Sequence, residues 1–123
     1  MSFPWERVRG DESADCDLVV SAGDRIGAAV AAAFMVPVQE IRATTRRTAS
    51  VALARQSAMY LAHVAFGLNF TDAGRAFGRV RTTAARACRV IEDCREDAHL
   101  DTALGDLEHA LRRDFSSTFG AAS

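Results

Sequence analysis

The run VALARQSAMYLAHVAFGLNFTDAGRAFGRVRTTAARACRVIED, residues 51–93, decides how this chain folds. Over 51–66, Val51, Ala54, Ala58, Leu61 and Ala65 recur at steps of three and four, the apolar stripe of one helix face. Gly67 fits the stop of that helix, because glycine enters the left-handed region without a Cβ penalty. Asn69, with Asp72 three residues on, starts a short helix over 70–77. Gly78 permits a tight turn. A longer helix follows from Thr82 to Asp97, with Ala84, Ala87, Cys88, Ile91 and Cys94 on its inner stripe. Its opposite side carries Thr82, Arg86 and Arg89. Long helix, short helix, glycine turn and a long helix opening on Arg and Thr is a helix-turn-helix pattern.

Toward the N-terminus, 43–50 reads ATTRRTAS, a basic, Thr-rich connection. Before it, Val38 to Arg42 is a short helix, set off by Pro37. Ser21 with Asp24 resembles a capping box, and Ile26, Ala29, Val30, Ala33 and Phe34 follow at helical spacing. Residues 1–18 mix Pro, Gly and acids without a period and read as a mobile acidic tail. Toward the C-terminus, Leu100, Leu104, Leu107, Leu111 and Phe115 mark a last helix over 100–115. No strand and no internal repeat is legible. The expectation is an all-α domain of five to six helices over 19–116, with 117–123 as a C-terminal tail.

Composition agrees. A chain of 123 residues is one domain, and 49% apolar with 25% charged residues is ordinary for a globular protein. Twenty-four alanines, two prolines and 7% aromatics favour helix over sheet. All 15 basic residues are arginine, which excludes a P-loop lysine, a Schiff-base lysine and any lysine nucleophile. Cys16, Cys88 and Cys94 are odd in number and lack CxxC spacing, so neither a disulfide framework nor a zinc knuckle is expected. The cysteines read as small buried hydrophobes. His63, His99 and His109 stand apart, and no nucleophile–base arrangement is visible. No enzyme activity, cofactor or metal is expected. The N-terminus lacks a signal-peptide run, and the uncharged stretch from Ile26 to Val38 is too short to span a bilayer, so a cytoplasmic, nucleoid-associated location is expected.

The formal net charge of −1 conceals a pattern. Residues 42–89 carry nine arginines against one acid, Asp72, for +8. The preceding 41 residues sum to −4 and the last 34 to −5. A basic middle between acidic flanks points to an anionic partner for the middle. In a helix-turn-helix the second helix enters the major groove and its N-terminal residues meet base edges. Here those residues are Thr82 and Thr83, with Arg86 one turn further on. Their hydroxyls donate or accept, and their methyls can touch the thymine methyl. Arg79 and Arg81, in the turn, can reach phosphates or a guanine edge, and a helix N-terminus favours a phosphate.

VALARQSAMYLA (51–62) and NFTDAGRAFGRVRTTAARACRVIED (69–93) together resemble domain IV of the bacterial replication initiator DnaA. The resemblance covers 20–115 and rests on the RQxAMYLA run, the GxxFG turn and the RxRTT start of the second helix. It implies an all-helical domain that binds short asymmetric initiator boxes. The family places a helix-turn-helix in the major groove and an upstream arginine in the minor groove. Arg46 and Arg47 fall on its basic loop. Arg55 and Gln56 fall on its Arg-Gln pair, which sits against the DNA backbone. Thr82 and Thr83 fall on its Thr pair, which contacts bases and phosphates.

Two positions depart from the family pattern. Leu53 stands at the minor-groove arginine, and Val80 at an aspartate that contacts a base. Losing two contacts worth about 1–3 kcal/mol each removes much of the specific-over-non-specific gap of about 4–10 kcal/mol. With no nucleotide-binding module or lysine for one, the chain is expected to be a free-standing regulator. Two readings stay open at this point. One is a DNA-binding regulator of replication initiation or transcription with relaxed specificity. The other is a protein-interaction module that modulates the initiator or its regulators. The resemblance implies a monomer.

Overall fold

A computed structural model describes residues 16–42 and 49–115, and the side chains of 18–41 and 49–113. The described residues form helices and turns with no strand. The helices are α1 (Cys16–Phe34), α2 (Val38–Arg42), α3 (Ala49–Val64), α4 (Phe70–Arg75), α5 (Arg81–Cys94) and α6 (Ala98–Phe115). This is the all-α helix-turn-helix architecture that the periodicity predicts.

Helix α3 is the axis of the domain, packed between α1 and α5. Its expected stripe, Val51, Ala54, Ala58, Leu61 and Ala65, is buried throughout. Alanines dominate this face, so neighbouring helices approach closely. The large side chains that fill the spaces between helices come from elsewhere: Ile26, Ile41, Phe66, Leu68, Phe77, Ile91 and Leu104 are all fully buried. Each such side chain contributes about 2 kcal/mol of apolar burial. In α5, Ala84, Ala87, Cys88 and Ile91 face inward and Cys94 is half-buried. Burial first, and then the nearby Glu92 carboxylate, push the Cys88 thiol up to about 11. It stays neutral near pH 7 and behaves as a small hydrophobe.

Helix α1 starts earlier than its capping signal suggests. Ser21 and Asp24 lie inside the helix, which begins at Cys16. Val19 and Ala22 are buried together with Ile26 and Val30, so one continuous stripe carries the helix through the Ser21 site. Ala33, expected on that stripe, is exposed, and Ala31 is buried in its place. The helix ends at Met35, which takes φ 57°. Val36 N–H donates to Ala31 O at 3.0 Å and Met35 N–H to Ala32 O at 3.4 Å, the paired bonds of a Schellman stop.

The boundary between α5 and α6 also moves. The spacing predicts a helix to Asp97, but α5 ends at Cys94. Asp97 instead caps α6, its Oδ1 accepting from His99 N–H at 2.9 Å and Leu100 N–H at 3.2 Å. Leu104 and Leu111 are buried and Leu100 and Leu107 pack beside them, against α1 and α3. Arg112 Nη2 donates to Val64 O at 2.8 Å, placing a cation on the carbonyl end of α3. Arg95 ties the same region together: Nη1 donates to Tyr60 Oη at 2.9 Å and Nε to Asp101 Oδ1 at 2.6 Å. These bonds, from Tyr60 first, raise the Arg95 pKa further.

Candidate nucleic-acid interface

The interface is built from the turn outward. Asn69 Oδ1 accepts from Asp72 N–H at 2.8 Å and caps α4 as its spacing predicts. The Asp72 carboxylate is fully buried and accepts from Arg75 Nη1 at 2.6 Å. The one acid of the basic middle is thereby neutralised by its own helix and kept off the surface. Gly78 takes φ 69°, the left-handed conformation of the turn. Gly74 has a different role. A Cβ there would lie 2.7 Å from Arg79 O and 2.9 Å from Val80 O. Arg79 N–H donates to Gly74 O at 2.8 Å across this same approach. The missing side chain lets α4 press directly on the extended strand of chain that launches α5.

Val80 is the N-cap of α5, in extended conformation, and it makes no side-chain cap bond. Valine has no acceptor for the amide groups of the first turn. Those amides and the helix dipole therefore face outward as a site for negative charge. Around them Arg81, Thr82 and Thr83 are exposed, and Arg86 and Arg89 continue along the same helix face. A shallow cleft of about 460 Å³ runs along Arg81, Thr82, Ala85, Arg86, Arg89, Val90 and Asp93. Arg89 lies three residues beyond Arg86 and seven beyond Thr82, spacing that puts it with them.

A second groove of about 470 Å³ separates α3 from α5, lined by Ala52, Gln56, Met59, Thr83, Arg86 and Ala87. Gln56 is thereby brought beside Thr83 and Arg86, though 27 residues separate it from Thr83 in the chain. Its neighbour Arg55 lies elsewhere. Arg55 is only 9% exposed, and its Nε donates to Glu40 O at 2.7 Å, joining α3 to α2. Arg79 lies near it and donates from Nη1 to Phe77 O at 3.2 Å. Burial first and then the Arg55 charge lower the Arg79 pKa. Leu53 is half-buried against the core. Arg46 and Arg47 lie outside the described residues.

Sequence reasoning missed one arrangement. Phe70 stacks on His63 with ring centroids 4.5 Å apart, and the Arg81 guanidinium lies 6.0 Å from the Phe70 centroid. His63 Nδ1 donates to Leu68 O at 2.8 Å, which fixes the imidazole. The signal was an aromatic residue opening α4 seven residues after a histidine near the end of α3, and nothing local joins the two to Arg81.

Among the described residues no three His, Cys, Asp or Glu side chains gather as a metal site. No helix among them is long and apolar enough to cross a membrane.

A short helix, a glycine turn and a second helix with an exposed Arg–Thr start, mounted on a long buried helix, define a helix-turn-helix domain of the DNA-binding class. The family model for the bacterial DnaA protein helix-turn-helix matches residues 24–91, more than half of the chain. The chain belongs to that family, whose domain is a DNA-binding module of replication initiators. It is 41% identical over 69 residues to chromosomal replication initiator protein DnaA 1 of Protochlamydia amoebophila (strain UWE25), covering 56% of this chain and 15% of that protein. It is 41% identical over 63 residues to DnaA 2 of Chlamydia muridarum, covering 51% of this chain and 14% of that protein. It thus spans about one-seventh of the length of these relatives. The crystal structure of a DNA replication initiation factor superposes with a TM-score of 0.68 at 26% identity, over 78% of this chain and 30% of that one.

Proposed function

We propose that this chain binds double-stranded DNA through α5 and regulates replication initiation or transcription, with relaxed sequence preference. The observation that supports it most is the start of α5: an uncapped N-terminus ringed by exposed Arg81, Thr82, Thr83 and Arg86. In this reading α5 lies in the major groove with Thr82 and Thr83 toward base edges. Arg81 and Arg86 hold the flanking phosphates. Gln56, at the α3–α5 groove, meets the backbone of the same strand. Arg79 supports the turn, and Arg55 acts from its buried position by adding positive potential. Arg46 and Arg47 supply further phosphate contacts from the basic connection. One copy engages one site, and the protein is nucleoid-associated.

Relaxed preference follows from two positions. Leu53 is apolar and packs on the core, so it brings no charge to a minor groove. Val80 is 66% exposed at the point where the family has a base-reading aspartate, and it has no polar atom to offer. Phosphate contacts position a protein on DNA, whereas base contacts specify the sequence. This chain has more of the first kind.

The test is fluorescence anisotropy with one duplex carrying an initiator box and one carrying a scrambled box, at several salt concentrations. Both should bind, with an affinity that falls steeply as salt rises. Arg46→Ala with Arg47→Ala should weaken both equally and reduce the salt slope by about two. Unchanged affinity in that double variant would break the reading. A second reading, a protein-interaction module acting on the initiator or its regulators, draws on the exposed apolar Val80 in the middle of the candidate surface. Absence of duplex binding at low salt would select it.

A further inference from the structure

We propose that Phe70 is a positioning residue for Arg81, holding its guanidinium at the DNA surface from a platform backed by His63. The inference rests on the DNA-binding reading and assigns a role to two residues outside the interface itself. Arg81 is the first residue of α5, and among the described residues it has no carboxylate partner. Its contact is the Phe70 ring, 6.0 Å away. The ring is half-buried at the start of α4 and packs against the core. Its stacking partner is the imidazole of His63, on the last turn of α3, with ring planes 27° apart. His63 in turn is held by its Nδ1 bond to Leu68 O. A carbonyl only accepts, so Nδ1 carries the proton.

The chain of contacts runs from a fixed backbone carbonyl to an imidazole, to a phenyl ring, to an exposed guanidinium. Each member restricts the next. A free arginine samples many rotamers, and ordering one on binding is costly. A ring that attracts the cation reduces that cost, because it holds the guanidinium without a hydrogen-bond acceptor that would compete with a phosphate. The same ring joins the ends of α3, α4 and α5, so the position of Arg81 is tied to the geometry of the turn.

The experiment is a double-mutant cycle on duplex affinity with Phe70→Leu and Arg81→Ala, with Phe70→Tyr as the conservative variant. Thermal unfolding of each variant checks the fold. Phe70→Leu should weaken binding about two- to fivefold. Phe70→Tyr keeps the ring and should restore wild-type affinity. In the Arg81→Ala background, Phe70→Leu should cost nothing further. NMR of the free protein supplies an independent readout: the Arg81 side-chain protons should show a ring-current shift that Phe70→Leu abolishes and Phe70→Tyr retains. If the wild type binds duplex but the two substitutions are additive, or Phe70→Tyr fails to rescue, the positioning role is overturned and the DNA reading stands. If the wild type binds no duplex, the DNA reading falls and this role falls with it, whatever the NMR shift.

Discussion

The two ends of α5 are finished in opposite ways. At the C-terminal end, Arg95 bonds Tyr60 and Asp101 and lies 3.8 Å from Glu108, so side chains of α3 and α6 satisfy its guanidinium. At the N-terminal end, Val80 caps nothing, and Arg81, Thr82 and Thr83 stand in solvent. One end is saturated inside the molecule and the other is left open. The difference shows where a helix with arginines at both ends spends them. Arg95 stabilises the fold, whereas the arginines of the open end are available to an outside anion. The charge pattern along the chain runs the same way, basic over 42–89 and acidic from residue 90 onward.

The strongest way to break the contrast is to displace the open end. Gly74→Ala places a Cβ 2.7 Å from Arg79 O, against backbone that has no flexible side chain to yield. It should cost about 2–3 kcal/mol in urea unfolding and weaken duplex binding as well. A loss below about 1 kcal/mol would mean that the approach of α4 to the turn is looser than described.

The closed end is probed by Arg95→Met, which keeps most of the side-chain bulk and removes the hydrogen bonds to Tyr60 and Asp101. Stability should fall by about 1–2 kcal/mol. Duplex affinity should stay within about twofold, because α5 separates Arg95 from Thr82 by about 20 Å, more than a Debye length in physiological salt. Equal losses of stability and affinity would remove the distinction between the two ends.

The smallest expected effect sharpens the contrast by closing the open end. Val80→Asp gives α5 a capping acceptor and should add about 1 kcal/mol of stability, and Val80→Ser should add a similar amount. Only the aspartate should raise the preference for an initiator box over its scrambled form. If serine raises it equally, capping rather than base contact sets the preference.

Much of this was legible along the chain, and the exceptions have physical causes. The α3 stripe, the Asn69 cap, the Gly78 turn and the exposed Arg–Thr start of α5 follow from periodicity and turn chemistry. Those are local preferences that operate over three or four residues. Ser21 misled for the same reason. Its capping preference is local, and burial of Val19 and Ala22 carried α1 through it. The α5–α6 boundary moved because Asp97 caps a new helix rather than ending an old one. Arg55 looks like any surface arginine by type, and only the Glu40 carbonyl on α2 shows why it is buried. Gln56 joins Thr83 through a groove between helices far apart in the chain.

The amino-acid order by itself determined the helical class, the helix-turn-helix and the concentration of arginine in the middle of the chain, because each depends on neighbours within a turn or two. Only the tertiary structure decided what each arginine does. Arg55 faces a carbonyl, Arg75 a buried carboxylate, Arg81 an aromatic ring, and Arg86 and Arg89 open solvent. A guanidinium is one chemical group in all five places. Its role is set by the partner that packing brings within reach, and those partners come from other helices or from another turn of its own.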